Sequence, residues 1–511
     1  MMEVVGRFTR RTLMIVVIVT CGFMSTSCSS VKEKPSAVRP STITIWTAVE
    51  ITHDPLAALT SEQHFFTALE NRTLFTLTSN GSIQGELAKQ FHVSSDGLST
   101  RVTLNKDTFS DGKTITSSDV KATLSRLMVA GGDYASLLSN VKGSGEAKSS
   151  LDFFGIKILD KQTLSFELIT PDPFFVFRLA HPSTAILPAK SIGEQGALMF
   201  KAHSGLYTAG KENVSTKTTT YKPRIKELPV VHVVQNTEAD ISKKPQADKV
   251  DIILSRVSNS TSYKPIHVPQ LAIASWNLYV KGADSPLTNV QFRQAILSVI
   301  DTKESIGAYT TRANIPTGFT GRTFDSVDCG SSCVTNKAKA LSIIKELYPT
   351  GAVPGIAIDI EDNEIQHTLA KSAVAKLAAV GIPATVKAHD ATELSNVIAR
   401  GEVELFRFGW ISEVAVGSDP LVKSFKADST ENVSGISDAT LEKNIATYES
   451  AVSFAGKLKA SQILQERIKD LWLTRPVAHF HKTITVNKRL SDVTFDYYGR
   501  VSIEDIRISN S

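Results

Sequence analysis

Apolar residues along this chain alternate between two periods. Val120, Leu124, Leu127 and Met128 share one helical face, and Thr116-x-x-Asp119 ahead of them is a capping-box variant that predicts a helix start. Phe292, Ala295, Ile296, Val299 and Ile300 repeat the helical spacing behind Thr288-x-x-Gln291. Ile365, Leu369, Ala373 and Leu377 form a third stripe, which Gly381 ends as a C-cap and Pro383 blocks. Elsewhere the period falls to two. Leu164, Phe166 and Leu168 alternate with polar partners and predict a half-buried strand, and VVHVV from Val230 to Val234 predicts another. Asn80-Gly81, Asp96-Gly97 and Asp111-Gly112 mark tight turns. Interleaved helices and strands predict α/β or mixed α+β layers. No repeat with a period of about 20–50 residues is evident, which argues against a solenoid or propeller.

At 511 residues the chain exceeds one compact core, so at least two domains are expected. Hydrophobic residues at 42% and charged residues at 21% argue against disorder and coiled coil. A net charge of +5 over this length gives no support for nucleic-acid binding. Only one segment, near the start, is apolar enough to enter a membrane, which excludes a polytopic membrane protein.

That segment has the layout of a secretory signal: basic Arg7, Arg10 and Arg11, an apolar run from Leu13 to Gly22, then Ser25, Thr26, Ser27 and Cys28. A basic leader explains Arg10–Arg11 more simply than a twin-arginine signal. Cys28 after small residues resembles a bacterial lipoprotein box, with Ser25 where such boxes usually carry Leu. Residues 1–27 are therefore expected to be a cleaved signal and 28–41 a flexible, lipid-anchored tether; an ordinary cleaved signal with an incidental Cys is the alternative. Removing 1–27 takes away Glu3 and three Arg, so the mature chain is near +3. Cys329 and Cys333, in DCGSSC, then suit a local disulfide in an oxidising compartment.

Three blocks in a fixed order resemble one family. The first runs from Phe65 to Met128 and carries Ser95-Asp96-Gly97-Leu98, Phe109-Ser110-Asp111-Gly112 and Thr116-x-x-Asp119-Val120. The second is Ser285-Pro286-Leu287, Phe292-Arg293-Gln294-Ala295-Ile296 and Ile300-Asp301. The third is Leu377-x-x-x-Gly381-Ile382 followed by Phe406-Arg407-Phe408-Gly409-Trp410; His203-Ser-Gly-Leu-Tyr207 is a weaker echo. Together they resemble the family 5 extracellular solute-binding lipoproteins of oligopeptide and dipeptide ABC transporters. The resemblance implies a two-lobed clamp of the periplasmic-binding-protein type II, with an extra inserted domain. Its expected parts are a discontinuous first lobe (42–62, 166–272 and 480–511), an inserted small domain (63–165) and a second lobe (273–479). The crossings near 270 and 480 would be the hinge.

The resemblance also implies the site. The family places its amine-binding acid three residues after the Trp of Gly-Trp, here Glu413, where Asp is usual. Asp419-Pro420 lies further on than in the family, so Asp419 is the alternative acid. Arg407 matches a basic position that can meet a peptide carboxylate. Gly409 and Ile411 would pair with ligand backbone, Trp410 would stack on the ligand, and Glu50 matches a clamp acid more loosely. Each has a plainer reading: Trp410 in the core, Arg407 buried against a structural partner such as Glu50, Glu413 as a solvated charge. His479 and His481 share a strand face but have no third ligand in view, which favours no metal.

No Gly-x-Ser-x-Gly, His-Glu-x-x-His or phosphate-loop signature is present, so no enzyme is expected. The expected function is a solute-binding component that captures short peptides and delivers them to an ABC permease in the inner membrane. It would be a monomer, free of cofactor and nucleic acid, lipid-anchored on the periplasmic or cell-surface side. The same fold binding haem, nickel or a sugar is the alternative, as is a scaffold lipoprotein without a ligand.

Overall fold

The computed structural model describes residues 38–509 except 131, 147–152, 194–195, 200–201, 237–248, 255–257, 259, 301–306, 308–312, 322 and 413. The signal, Cys28 and Glu413 lie outside the described residues.

One large mixed sheet organises the chain. Two long antiparallel strands, Tyr263–Leu278 and Thr474–Asn487, form its central ribbon. At one end of the ribbon, Leu405–Phe408 pairs with the 275–278 stretch, and Ile356–Glu361 and Ala384–His389 follow in parallel. At the other end, Ile252–Ile253 pairs with Val486 and Thr485 and leads to Thr42–Thr47, which lies parallel to Val230–Gln235. Thr218–Pro223 and Tyr207–Ala209 complete that side. The two groups of strands thus build two lobes joined by the ribbon. The ladder changes register between Pro269 and Ile273, a bulge that bends a strand locally. Pro265 and Pro269 are tolerated because that half of the strand is paired on one side only.

The sheet pairing follows the sequence pattern. Val231 and Val233 face a core with Ile43, Ile45, Phe66 and Ile484. A separate antiparallel sheet holds Ala88–Val93, Ser99–Leu104, Thr163–Glu167 and Ile156–Asp160, in that spatial order. Leu164 and Phe166 point inward from it, and the helix Ser117–Ala130 packs Val120, Leu124 and Leu127 into the same core. Thr116 Oγ1 donates to Asp119 Oδ2 at 2.7 Å, closing the capping turn ahead of that helix. Gly81, Gly97 and Gly112 take φ of +79°, +70° and +82° in the three expected turns, a conformation that costs glycine little.

Two helix details differ from expectation. The helix Val290–Ser298 is capped by Asn289, whose Oδ1 accepts from the amides of Gln291 and Phe292. Thr288 is held one residue earlier, in a 3₁₀ turn, with its hydroxyl donating to Ser285 O. On Glu364–Ala378 the buried face is Leu369, Ala370, Ala373 and Leu377, while Ile365 is exposed in the first turn. Gly381, at φ +85°, ends that helix, and the Ile382 amide reaches back to Leu377 O.

Cys329 and Cys333 are joined by a disulfide with a Cα–Cα distance of 5.6 Å. His479 bonds to Gly318 O through Nε2 at 3.1 Å, and the His481 ring meets His267 edge-on.

Candidate functional site

A cleft of about 1030 Å³ opens between two groups of residues. Ser136–Asn140 and Ile169–Arg178 supply one wall, while residues 408–431 with Tyr448 and Lys457 supply the other.

The second wall begins where Leu405–Phe408 ends. Gly409 passes so close to the ribbon that a Cβ there would lie 2.0 Å from Ile273 O. Only glycine permits that approach. Ile273 then donates its amide to Trp410 O at 3.0 Å, Ser412 donates its own to Leu271 O at 3.2 Å, and Ile411 sits opposite Ala272. Peptide groups alternate in direction along an extended strand, so the N–H and C=O of Ile411 face away from the ribbon. Trp410 packs edge-on against Phe425 and tilted against Phe408. It is only 7% exposed, as its core reading expects, and it also lines the cleft. Trp410 Nε1 and Ser412 Oγ are buried in this wall without a hydrogen-bond partner among the described residues.

The helix Ser418–Phe425 carries Asp419 in its first turn. It has no side-chain cap of its own. Buried Asp325 acts instead, accepting from Gly417 N at 2.7 Å and Ser418 N at 3.1 Å. A carboxylate suits the positive end of a helix.

Asp419 belongs to a closed ring of charges. Its Oδ2 accepts from Arg178 Nη2 at 2.6 Å and its Oδ1 from Tyr448 OH at 2.7 Å. Arg178 Nε also reaches Asp172 Oδ2 at 3.4 Å. Lys457 Nζ lies 3.5 Å from Asp172 Oδ1 and 4.5 Å over the Tyr448 ring. Burial alone would raise the Asp419 carboxyl, but Arg178, Tyr448 and Lys457 outweigh it and hold it below the usual carboxylate range. Burial and the Asp419 charge push the Tyr448 hydroxyl well up, so it remains a donor. Beside the ring, Phe177 stacks on Phe324 at 4.6 Å, and Phe174 meets Phe324 and Phe454 edge-on. Segment 172–178 is thereby fastened to the helices Ser418–Phe425, Ala439–Glu449 and Phe454–Leu471.

The structure gathers Gly409, Trp410, Ile411 and Asp419 on the cleft. Arg407 is elsewhere: it is 5% exposed, opposite Trp276 in register, with its guanidinium 5.1 Å from that ring's centroid. Glu50 lines a separate pocket of about 230 Å³ with His53 and Gln235, and its carbonyl accepts from Gln63. Asp172, Arg178, Tyr448 and Lys457 escaped the sequence reading because no motif links positions so far apart.

Residues 82–432 match the model of the bacterial extracellular solute-binding proteins, family 5, middle region. The chain belongs to this family. A dipeptide-binding protein of Lactococcus lactis is 26% identical over 317 residues, 54% of this chain and 58% of that relative's length. Among solved structures, the murein tripeptide-binding protein MppA in its unliganded open form matches at a TM-score of 0.81 and 15% identity. That match covers 93% of this chain and 99% of the other. HbpA2 from Haemophilus parasuis matches at 0.78 and 17%, over 92% and 100%. The OppA of Haemophilus influenzae in complex with RPPGFSPFR matches at 0.59 and 16%, over 93% and 100%. The fold is therefore a two-lobed clamp. Among the described residues no helix is long and apolar enough to cross a membrane, and no group of three or more His, Cys, Asp or Glu could hold a metal.

Proposed function

We propose that this protein captures short peptides between its lobes and delivers them to the permease of an ABC importer. The observation that carries this reading is the edge at Ile411. Its N–H and C=O are turned away from the ribbon, and Ile411 lines a cleft of about 1030 Å³, where an extended ligand can add as a strand. Trp410 Nε1 and Ser412 Oγ, buried beside it, are donors for ligand oxygens. Buried donors without a partner are uncommon in native folds. The relative described as dipeptide-binding and the solved peptide complex point the same way.

In this reading Glu413, three residues past Trp410, meets the ligand's amino group, with Asp419 as the alternative. Asp419 already serves Arg178 and Tyr448, which favours Glu413. Arg407 supports the wall from behind through Trp276, so the ligand carboxylate is met by uncharged donors of the cleft, Trp410 Nε1 and Ser412 Oγ, rather than by Arg407. The register change between Pro269 and Ile273 is the hinge, close to the expected crossings. The protein works as a monomer on the outer face of the cytoplasmic membrane, held by lipid on Cys28.

Mass spectrometry of what co-purifies with the full chain, followed by calorimetry, tests the reading. Short peptides are expected to co-purify and bind. N-acetylation of the peptide is expected to weaken binding about 10²-fold, as an uncompensated buried charge requires. Recovery of haem, a metal or a sugar with no peptide binding would overturn it.

A further inference from the structure

We propose that the cleft selects peptides bearing a bulky apolar side chain of the Leu, Ile, Met or Phe class. That side chain is held between Ile169 on one wall and Ile411 on the other. The inference rests on the peptide reading and adds a side-chain class to it.

Large apolar side chains scattered singly over a surface carry little meaning. Here three of them line one cleft while exposed, Ile169 at 57% and Ile411 at 63%, with Phe408 at 38%. Ile169 comes from the wall that also supplies Arg178, and the other two flank Gly409 and Trp410 on the facing wall. A ligand strand that pairs with the Ile411 edge sets one of its residues directly opposite Ile411. In such a pair the two side chains lie on the same face, with Cβ atoms about 5 Å apart. The ligand side chain at that register is therefore seated beside the exposed Ile411 side chain.

The charges of the cleft leave the same position to an apolar group. Besides the ring through Arg178 and Asp419, the lining carries Lys426, 3.1 Å from Glu449, and Lys423, 3.7 Å from Glu431. Among the described residues, every acid and base of the lining is thus already matched by an opposite charge within the protein. A charged ligand side chain would have to displace one of these pairs. An apolar one gains the exposed surface of Ile169 and Ile411 with nothing to displace. Extending Ala to Leu adds roughly three carbons of buried surface, which corresponds to about 10–50-fold in affinity.

The test is competition among Ala-X-Ala peptides for the purified full chain, with retained peptides quantified by mass spectrometry and affinities confirmed by calorimetry. X as Leu, Ile, Met or Phe is expected to bind about 10–50-fold more tightly than X as Ala, Lys or Glu. Ile169→Ser, which alters an exposed position, is expected to narrow that gap to below about 3-fold. Its fold is checked by circular dichroism. Equal retention of all peptides, or preference for Lys or Glu, would overturn the selectivity while leaving the peptide reading intact. An unchanged gap in Ile169→Ser would overturn the assigned wall. Failure of every peptide, with a non-peptide ligand recovered, would overturn both.

Discussion

Arg178 and Asp419 lie 241 residues apart in the chain and meet at 2.6 Å. The bond ties segment 172–178 to the helix that follows the Gly409–Trp410 wall, so it fixes how the two walls of the cleft face each other. Both partners are largely shielded, at 22% and 23% side-chain exposure. Such a pair is worth more than a surface ion pair and is costly to break from one side.

Asp419→Ala is expected to destabilise the protein by about 3 kcal/mol in urea unfolding, because it leaves Arg178 with Asp172 alone. The double variant Arg178→Met/Asp419→Ala is expected to lose less than the sum of the singles, which a double-mutant cycle reads. The Asp419 carboxyl is held below its ordinary value. Its contribution is therefore fully present above about pH 4 and lost as pH falls further. Additive single losses, or an unchanged acid limb in Asp419→Asn, would contradict the coupling.

His64 and His181 make a second acid-sensitive point. Burial, with Arg500 nearby, lowers His64 to about 3, and burial with His64 and Arg500 keeps His181 well below its usual value. Their rings meet edge-on at 5.6 Å. The unfolded chain takes up these protons near pH 6.5 while the folded one refuses them. Stability is thus complete above about pH 6.5 and declines as pH falls toward 3. Urea midpoints measured across that range are expected to fall less steeply in His64→Phe than in the parent.

Gly409→Ala tests the close approach that shapes this wall of the cleft. With Ile273 O only 2.0 Å from the new Cβ, the strand must move. Peptide binding is expected to drop at least 10-fold while the far-UV spectrum stays native, since the clash is confined to the end of Leu405–Phe408. Parent-like affinity would show that the wall does not need this geometry.

The Cys329–Cys333 link closes a very short loop. The chain-entropy relation gives about 2 kcal/mol for it. Cys329→Ser/Cys333→Ser is expected to unfold at lower urea by that amount, and the oxidised protein lacking residues 1–28 is expected to show no free thiol. Two titratable thiols without reductant would refute the bond.

Cys28→Ala is expected to release the protein from the membrane fraction and to change its migration. Persistent membrane association would mean that something other than lipid on Cys28 holds it.

Local pattern was enough for the elements whose burial is set by their own periodicity. The stripe at Leu369, Ala373 and Leu377 is buried as its spacing requires, and Leu164 and Phe166 face inward as alternation requires. Glycines in the Asn-Gly and Asp-Gly turns take positive φ because little else tolerates it there. The order of the three sequence blocks was enough for the family and its two-lobed fold.

The faces and partners of charged residues were decided by tertiary structure alone. In LFRF, Arg407 and Phe408 are adjacent, yet successive side chains point to opposite faces of a sheet. Which face meets the core depends on the neighbouring strand, and pairing with Trp276 turned Arg407 inward and left Phe408 on the cleft. Asp419 found Arg178, and Asp325 capped a helix 92 residues away, because long-range packing brought segments together that no local spacing connects. The sequence by itself determined most of the elements and the family fold. Only the folded chain decided which charges are available to a ligand, because a charge is free or spent according to what packs against it.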